Sequence, residues 1–164
     1  MPELSLRQSE ARLLYLAALY HLGRPGSEVD AATRQPLEDG LAPVAAGLQA
    51  QSGSDSTSLT LTDFQLGRLG EALLGLVNEL KQIGISGRSV TPRLFEELTR
   101  LYPEVTSVEP SAALDLAGEA TLLRRRLESA VRASNAALAE RRAAGAATAA
   151  EARRTARGWR FWRR

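Results

Sequence analysis

Apolar residues recur at three- and four-residue spacing through nearly every segment of this chain, and that period constrains its fold more than any other feature. Such spacing presents one apolar stripe of a helix again and again, and no run of strict apolar–polar alternation stands out against it. The expected class is therefore all-α. Five helices follow from the stripes and their stop signals. The first runs over about 6–23, opened by a Ser5–Gln8 capping box, with Leu6, Leu13, Leu16, Ala17 and Tyr20 facing inward and Gly23, Pro25 and Gly26 ending it. The second starts near Pro36, whose missing N–H suits a first turn, and carries Leu37, Leu41, Val44 and Leu48. Pro43 is expected to kink or split that helix, since an interior proline costs about 3 kcal/mol.

Residues 52–58 have the Ser/Gly/Asp/Thr composition of a linker and are expected to be mobile. The third helix opens with a second capping box, Thr62 to Gln65, flanked by Leu61 and Leu66 as a hydrophobic staple, and runs to about Ile83 on Leu66, Leu69, Leu73, Val77 and Leu80. Its Gly67 and Gly70 would allow close helix packing. The fourth helix, Pro92 to Tyr102, lies between a Thr91 cap and Pro103. The fifth starts at Ser111 and carries Leu116, Ala120, Leu123, Leu127, Ala130, Ser134 and Leu138.

The organisation that results is a single five-helix bundle over 1–142, made of a hairpin 5–51, the linker 52–58, a hairpin 62–103 and a long helix 111–142. A flexible Ala/Arg-rich tail, 143–164, follows it. The two front halves resemble each other at an offset of 57, matching Leu4-Ser5 with Leu61-Thr62 and Gln8 with Gln65, as a duplicated αα-hairpin would.

Charge divides the chain close to the same place, two residues earlier. Residues 141–164 hold eight Arg against Glu151, a net +7, while residues 1–140 hold twelve Arg and Lys81 against eighteen acids, a net −5. The tail also holds both tryptophans, in Gly158-Trp159-Arg160-Phe161-Trp162-Arg163-Arg164. The triplet Arg124-Arg125-Arg126 is offset by Asp115, Glu119 and Glu128 and reads as a solvent face, with Glu128 placed to pair with Arg132.

Residue counts exclude most catalytic toolkits. There are no cysteines and one histidine, His21, too few for a zinc site, a di-iron bundle or a Ser-His-Asp arrangement. His21 sits where a helix C-terminus favours a cation. The one lysine follows Leu80, so no phosphate-binding Gly-x-x-x-x-Gly-Lys loop exists. Glu96 and Glu97 diverge by about 100° on a helix, and Asp115 with Glu119 is one isolated pair, so no carboxylates converge on a metal. The expectation is a non-enzymatic interaction or assembly protein with no catalytic residue, cofactor or metal.

The residues that speak for binding are Arg153, Arg154, Arg157, Trp159, Arg160, Trp162, Arg163 and Arg164. Arginine with tryptophan suits three anionic partners: an acidic protein surface, including that of a second copy; nucleic acid; and an acidic membrane. The acidic body would be repelled by the last two, which favours protein. An acidic N-terminus unlike a signal peptide makes the cytoplasm the expected compartment.

Overall fold

The computed structural model describes residues 3–29, 37, 39–51, 53–88, 92–103, 105 and 110–161. The described chain is mostly helical, as the periodicity requires, with one small sheet. In order it forms strand β1 (Glu3–Arg7), helix α1 (Gln8–Leu22), helix α2 (Ala42–Ala50), strand β2 (Ser56–Thr60), and helices α3 (Asp63–Ser86), α4 (Pro92–Leu101) and α5 (Pro110–Phe161).

The sheet corrects the expectation of a purely helical bundle. β1 and β2 pair antiparallel, with Leu4 opposite Leu59 and Leu6 opposite Thr57. Alternate residues of both strands are buried, so five residues of alternation in each were enough to set a strand. Ser56, Thr57 and Ser58, expected in a mobile linker, are ladder residues. Ser5 lies in β1 rather than capping a helix. α1 instead begins at Gln8, and the Glu10 carboxylate accepts the Arg7 backbone N–H at 2.8 Å.

The Thr62–Gln65 box is present in both directions: Gln65 N–H donates to Thr62 Oγ1 at 3.1 Å, and Thr62 N–H donates to Gln65 Oε1 at 3.0 Å. Leu61 and Leu66 beside it are both buried. Gly87 ends α3 with φ +66°, a left-handed conformation that favours glycine, and its N–H caps Ile83 O at 2.7 Å. Pro43 neither kinks nor splits α2, because the helix starts at Ala42 and places the proline in its first turn, where no N–H is needed. Leu37 precedes that helix, and Pro36 lies outside the described residues, as does the Thr91 cap.

α1 is the hub. Leu13, Leu14, Leu16, Ala17, Ala18 and Leu19 are all buried, so the apolar surface is wider than the single stripe its spacing suggested. It packs against α3 on one side and α2 and α4 on others, under the sheet. α5 packs chiefly on α3, through Ala113, Leu116, Ala117, Ala120, Leu123 and Leu127. The close approach in α3 is at Gly75, not at Gly67 or Gly70. A Cβ on Gly75 would strike the Tyr20 ring, whereas one on either of the other two would meet nothing within 4 Å.

The internal resemblance is a strand–helix unit rather than an αα-hairpin, and its offset is 55. Leu4-Ser5-Leu6-Arg7 corresponds to Leu59-Thr60-Leu61-Thr62, and Glu10 to Gln65, each side chain accepting the N–H of the residue before its helix. Leu4 and Leu59 are equivalents that also face each other in the ladder, so an approximate two-fold axis passes between them.

Candidate functional site

α5 is 52 residues long, about 78 Å at 1.5 Å per residue. Its first part is built into the body, and its second part leaves it. Ser134 Oγ donates to Asp63 Oδ1 at 3.2 Å at the point of departure. A groove of about 680 Å³ opens there, lined by Glu3, Asp63, Ala133, Ala137, Leu138 and Arg141. From Asn135 to Ala146 every side chain is exposed. The helix continues to Phe161, about 40 Å beyond Ser134.

The residues expected in a flexible tail are thus helical as far as Phe161. The local reason is composition: Ala143 to Ala152 is rich in the strongest helix former, and the packed part of α5 has already supplied the nucleus. The backbones of Arg153, Arg154, Arg157, Trp159 and Arg160 lie on this arm. Trp162, Arg163 and Arg164 lie outside the described residues. The sequence spacing of Arg153, Arg157 and Arg160 on a helical backbone corresponds to one stripe.

Arg126 is exposed, as expected of its triplet, but it is not free of the body. Its Nη1 donates to Glu10 Oε1 and its Nη2 to Ser5 O, each at 2.6 Å, tying α5 to α1 and β1. Burial of Glu10 raises its pKa, but the Arg7 N–H and the Arg126 guanidinium outweigh that and leave the carboxyl below its ordinary value. Arg124 pairs with Glu128 at 2.8 Å, so Glu128 faces back along the helix rather than toward Arg132.

A second polar cluster joins the end of α1 to α3. His21 is 8% exposed. Arg68 Nη1 lies 2.9 Å from His21 Nε2 and donates to Ser27 O at 2.6 Å. His21 Nε2 also lies 3.3 Å from Ser27 O. Glu28 stands beside both, 3.2 Å from Nε2 and 3.7 Å from Nη1, and accepts the Leu41 N–H at 3.0 Å. The expected helix-end role of His21 becomes a three-residue pin, which the sequence did not reveal because its partners are 7 and 47 positions away. Arg68 also covers the Phe64 ring at 5.0 Å.

Between α3 and α5 runs a groove of about 410 Å³, floored by Leu66, Leu127 and Val131 and opened by the missing side chains of Gly67 and Gly70. Among the described residues no group of His, Asp or Glu has a metal-binding arrangement. No described helix is long and apolar enough to cross a membrane. Comparison of the chain with protein-family models, with curated protein sequences and with solved structures finds no match in any of the three.

Proposed function

We propose that this is a non-enzymatic interaction protein whose helical C-terminal arm docks on the anionic surface of a partner protein. The observation that supports this reading is the arm itself: a helix that leaves the body at Ser134 and carries the chain's concentrated positive charge away from it. Arg153, Arg154, Arg157, Arg160, Arg163 and Arg164 supply long-range attraction, and Trp159 and Trp162 supply short-range anchoring, a division typical of interface hot spots. A second copy's acidic body is one such surface.

A second reading, nucleic acid, gains from the arm's length. Repulsion between an acidic body and a phosphate backbone is screened over about 8–10 Å at ordinary ionic strength, and Arg153 lies about 28 Å along the helix from Ser134. Acidic membrane gains by the same distance, though nothing specific favours it.

The test is a binding titration of the full chain against acidic proteins isolated from lysate, single-stranded and duplex nucleic acid, and acidic liposomes. Replacing Arg153, Arg157, Arg160 and Arg164 with Gln should slow association and flatten its salt dependence. Replacing Trp159 and Trp162 with Ala should speed dissociation and leave the salt slope nearly unchanged. Binding to nucleic acid or liposomes with no protein partner replaces the first reading by one of the others. Binding indifferent to both sets of changes refutes a role for the arm.

A further inference from the structure

The two-stranded sheet has two outer edges, and the structure treats them differently. Arg7 N–H donates to Glu10, and Ser5 O accepts Arg126 Nη2. The backbone groups of Ser5 and Arg7 therefore point away from β2, and the ladder bonds belong to Leu4 and Leu6. In the antiparallel register these face Leu59 and Thr57. By the same alternation Ser56, Ser58 and Thr60 direct their N–H and C=O groups outward from β2.

On the β1 side that outward row is covered by α5 through Arg126. On the β2 side it meets no hydrogen-bond partner among the described residues, and Ser56, Ser58 and Thr60 are all exposed. Among the described elements, β2 packs chiefly on β1 and α1. Nor does β2 carry the features that blunt an open edge: its five residues include no charge and no proline.

We infer that the outer edge of β2 pairs antiparallel with the same edge of a second copy, forming a continuous β1-β2-β2-β1 sheet across a two-fold axis. Several observations select a second copy as the occupant. An uncharged strand meets its own copy without repulsion. Register centred on Ser58 pairs all five residues, setting Ser56 against Thr60 on the exposed face and Thr57 against Leu59 on the buried one, so the surface is self-complementary as a two-fold interface requires. Self-association through the arms, by contrast, would bring two +7 segments together. The dimer would present two arms, and an anionic partner able to reach both would gain in avidity without any new contact.

The edge can be tested without disturbing the β1 ladder. Ser58→Pro removes an outward N–H, at a position where a strand tolerates proline, together with the exposed Ser58 Oγ–Glu3 hydrogen bond of 2.7 Å. Ser58→Lys sets two ammonium groups against each other across the axis. Sedimentation of the full chain should give twice the mass of one chain, and both variants should sediment at half that mass with an unchanged circular dichroism spectrum. Because the chain has no cysteine, Ser58→Cys should form a single covalent dimer on mild oxidation, since directly opposed residues lie about 5.5 Å apart at Cα. If Ser58→Pro fails to fold, Ser58→Lys decides alone. A monomeric parent chain, or a dimer that survives Ser58→Lys, overturns the inference, and neither result bears on the arm's binding to a different protein.

Discussion

Three glycines of α3 should respond to alanine with opposite signs. Gly67, Gly70 and Gly75 all lie inside the helix, where alanine is favoured by about 1 kcal/mol. At Gly67 and Gly70 a new Cβ meets nothing within 4 Å, so the gain should be realised in full. For a chain of this size about 1 kcal/mol corresponds to a rise in Tm of about 2–4 °C. At Gly75 the Cβ would strike Tyr20 Cε1 and lie 2.8 Å from Cδ1 and 2.9 Å from Cζ. The ring must move out of its half-buried place, and overpacking of this kind costs about 1–3 kcal/mol. Gly75→Ala should therefore be neutral to destabilising by about 2 kcal/mol, the difference between these two terms. Thermal and urea melts of the three single variants measure this directly. The Tyr20→Ala background supplies the control: there Gly75→Ala should become stabilising by about 1 kcal/mol, because the clash has gone. If Gly75→Ala stabilises the parent chain as much as Gly70→Ala does, Tyr20 does not lie over Gly75, and the contact between α1 and α3 is wrongly placed.

Two further outcomes follow from the same structure. A chain ending at residue 140 should melt within about 2 kcal/mol of the full chain, because the side chains from Asn135 to Ala146 are exposed; a larger loss in comparative melts would mean the arm packs on the body. Glu10 has a folded pKa below its ordinary value, so it contributes stability above the unfolded carboxylate pKa, and that contribution is lost as pH falls through the folded value. Glu10→Gln should flatten the acid side of the stability profile in urea titrations at several pH values, and an unchanged profile would refute the Glu10–Arg126 linkage.

What could be read from the sequence was whatever is settled within one turn of chain. The Thr62–Gln65 box, the buried stripe Leu66, Leu69, Leu73, Val77 and Leu80, and the start of α5 at Pro110 are all local matters. The strands were missed because each is five residues long and stabilised by a partner 49 to 57 positions away. Leu4 and Leu6, with Leu59 and Leu61, carried the alternation, but Leu6 also fits a helical stripe with Leu13. That ambiguity shifted the internal repeat from 55 to 57 and assigned Ser5 to a cap. Pro43 was misjudged for a related reason: the cost of proline depends on where a helix begins, and Leu37 and Leu41 extend the apolar spacing ahead of the true start. In the region proposed to bind, the residue types were legible, whereas the helical continuation of the arm was not, because it depends on what the preceding turns dock against.

That dependence bears on how the arm would work. Nucleating a helix in an isolated segment is unfavourable by a factor of about 10⁻³, or about 4 kcal/mol. The stretch of α5 packed on α3 meets that cost as part of folding the body, and each alanine added beyond Ser134 then only has to propagate. The cations help as well. Arg153, Arg154, Arg157 and Arg160 occupy the last turns of the helix, where the dipole places its negative end. The same charges that would attract an anionic surface therefore favour the conformation in which the chain presents them. An arm ordered before contact would lose less conformational entropy on docking than a disordered tail of equal charge, so in the proposed function the body's role would be to hold the arm as a helix.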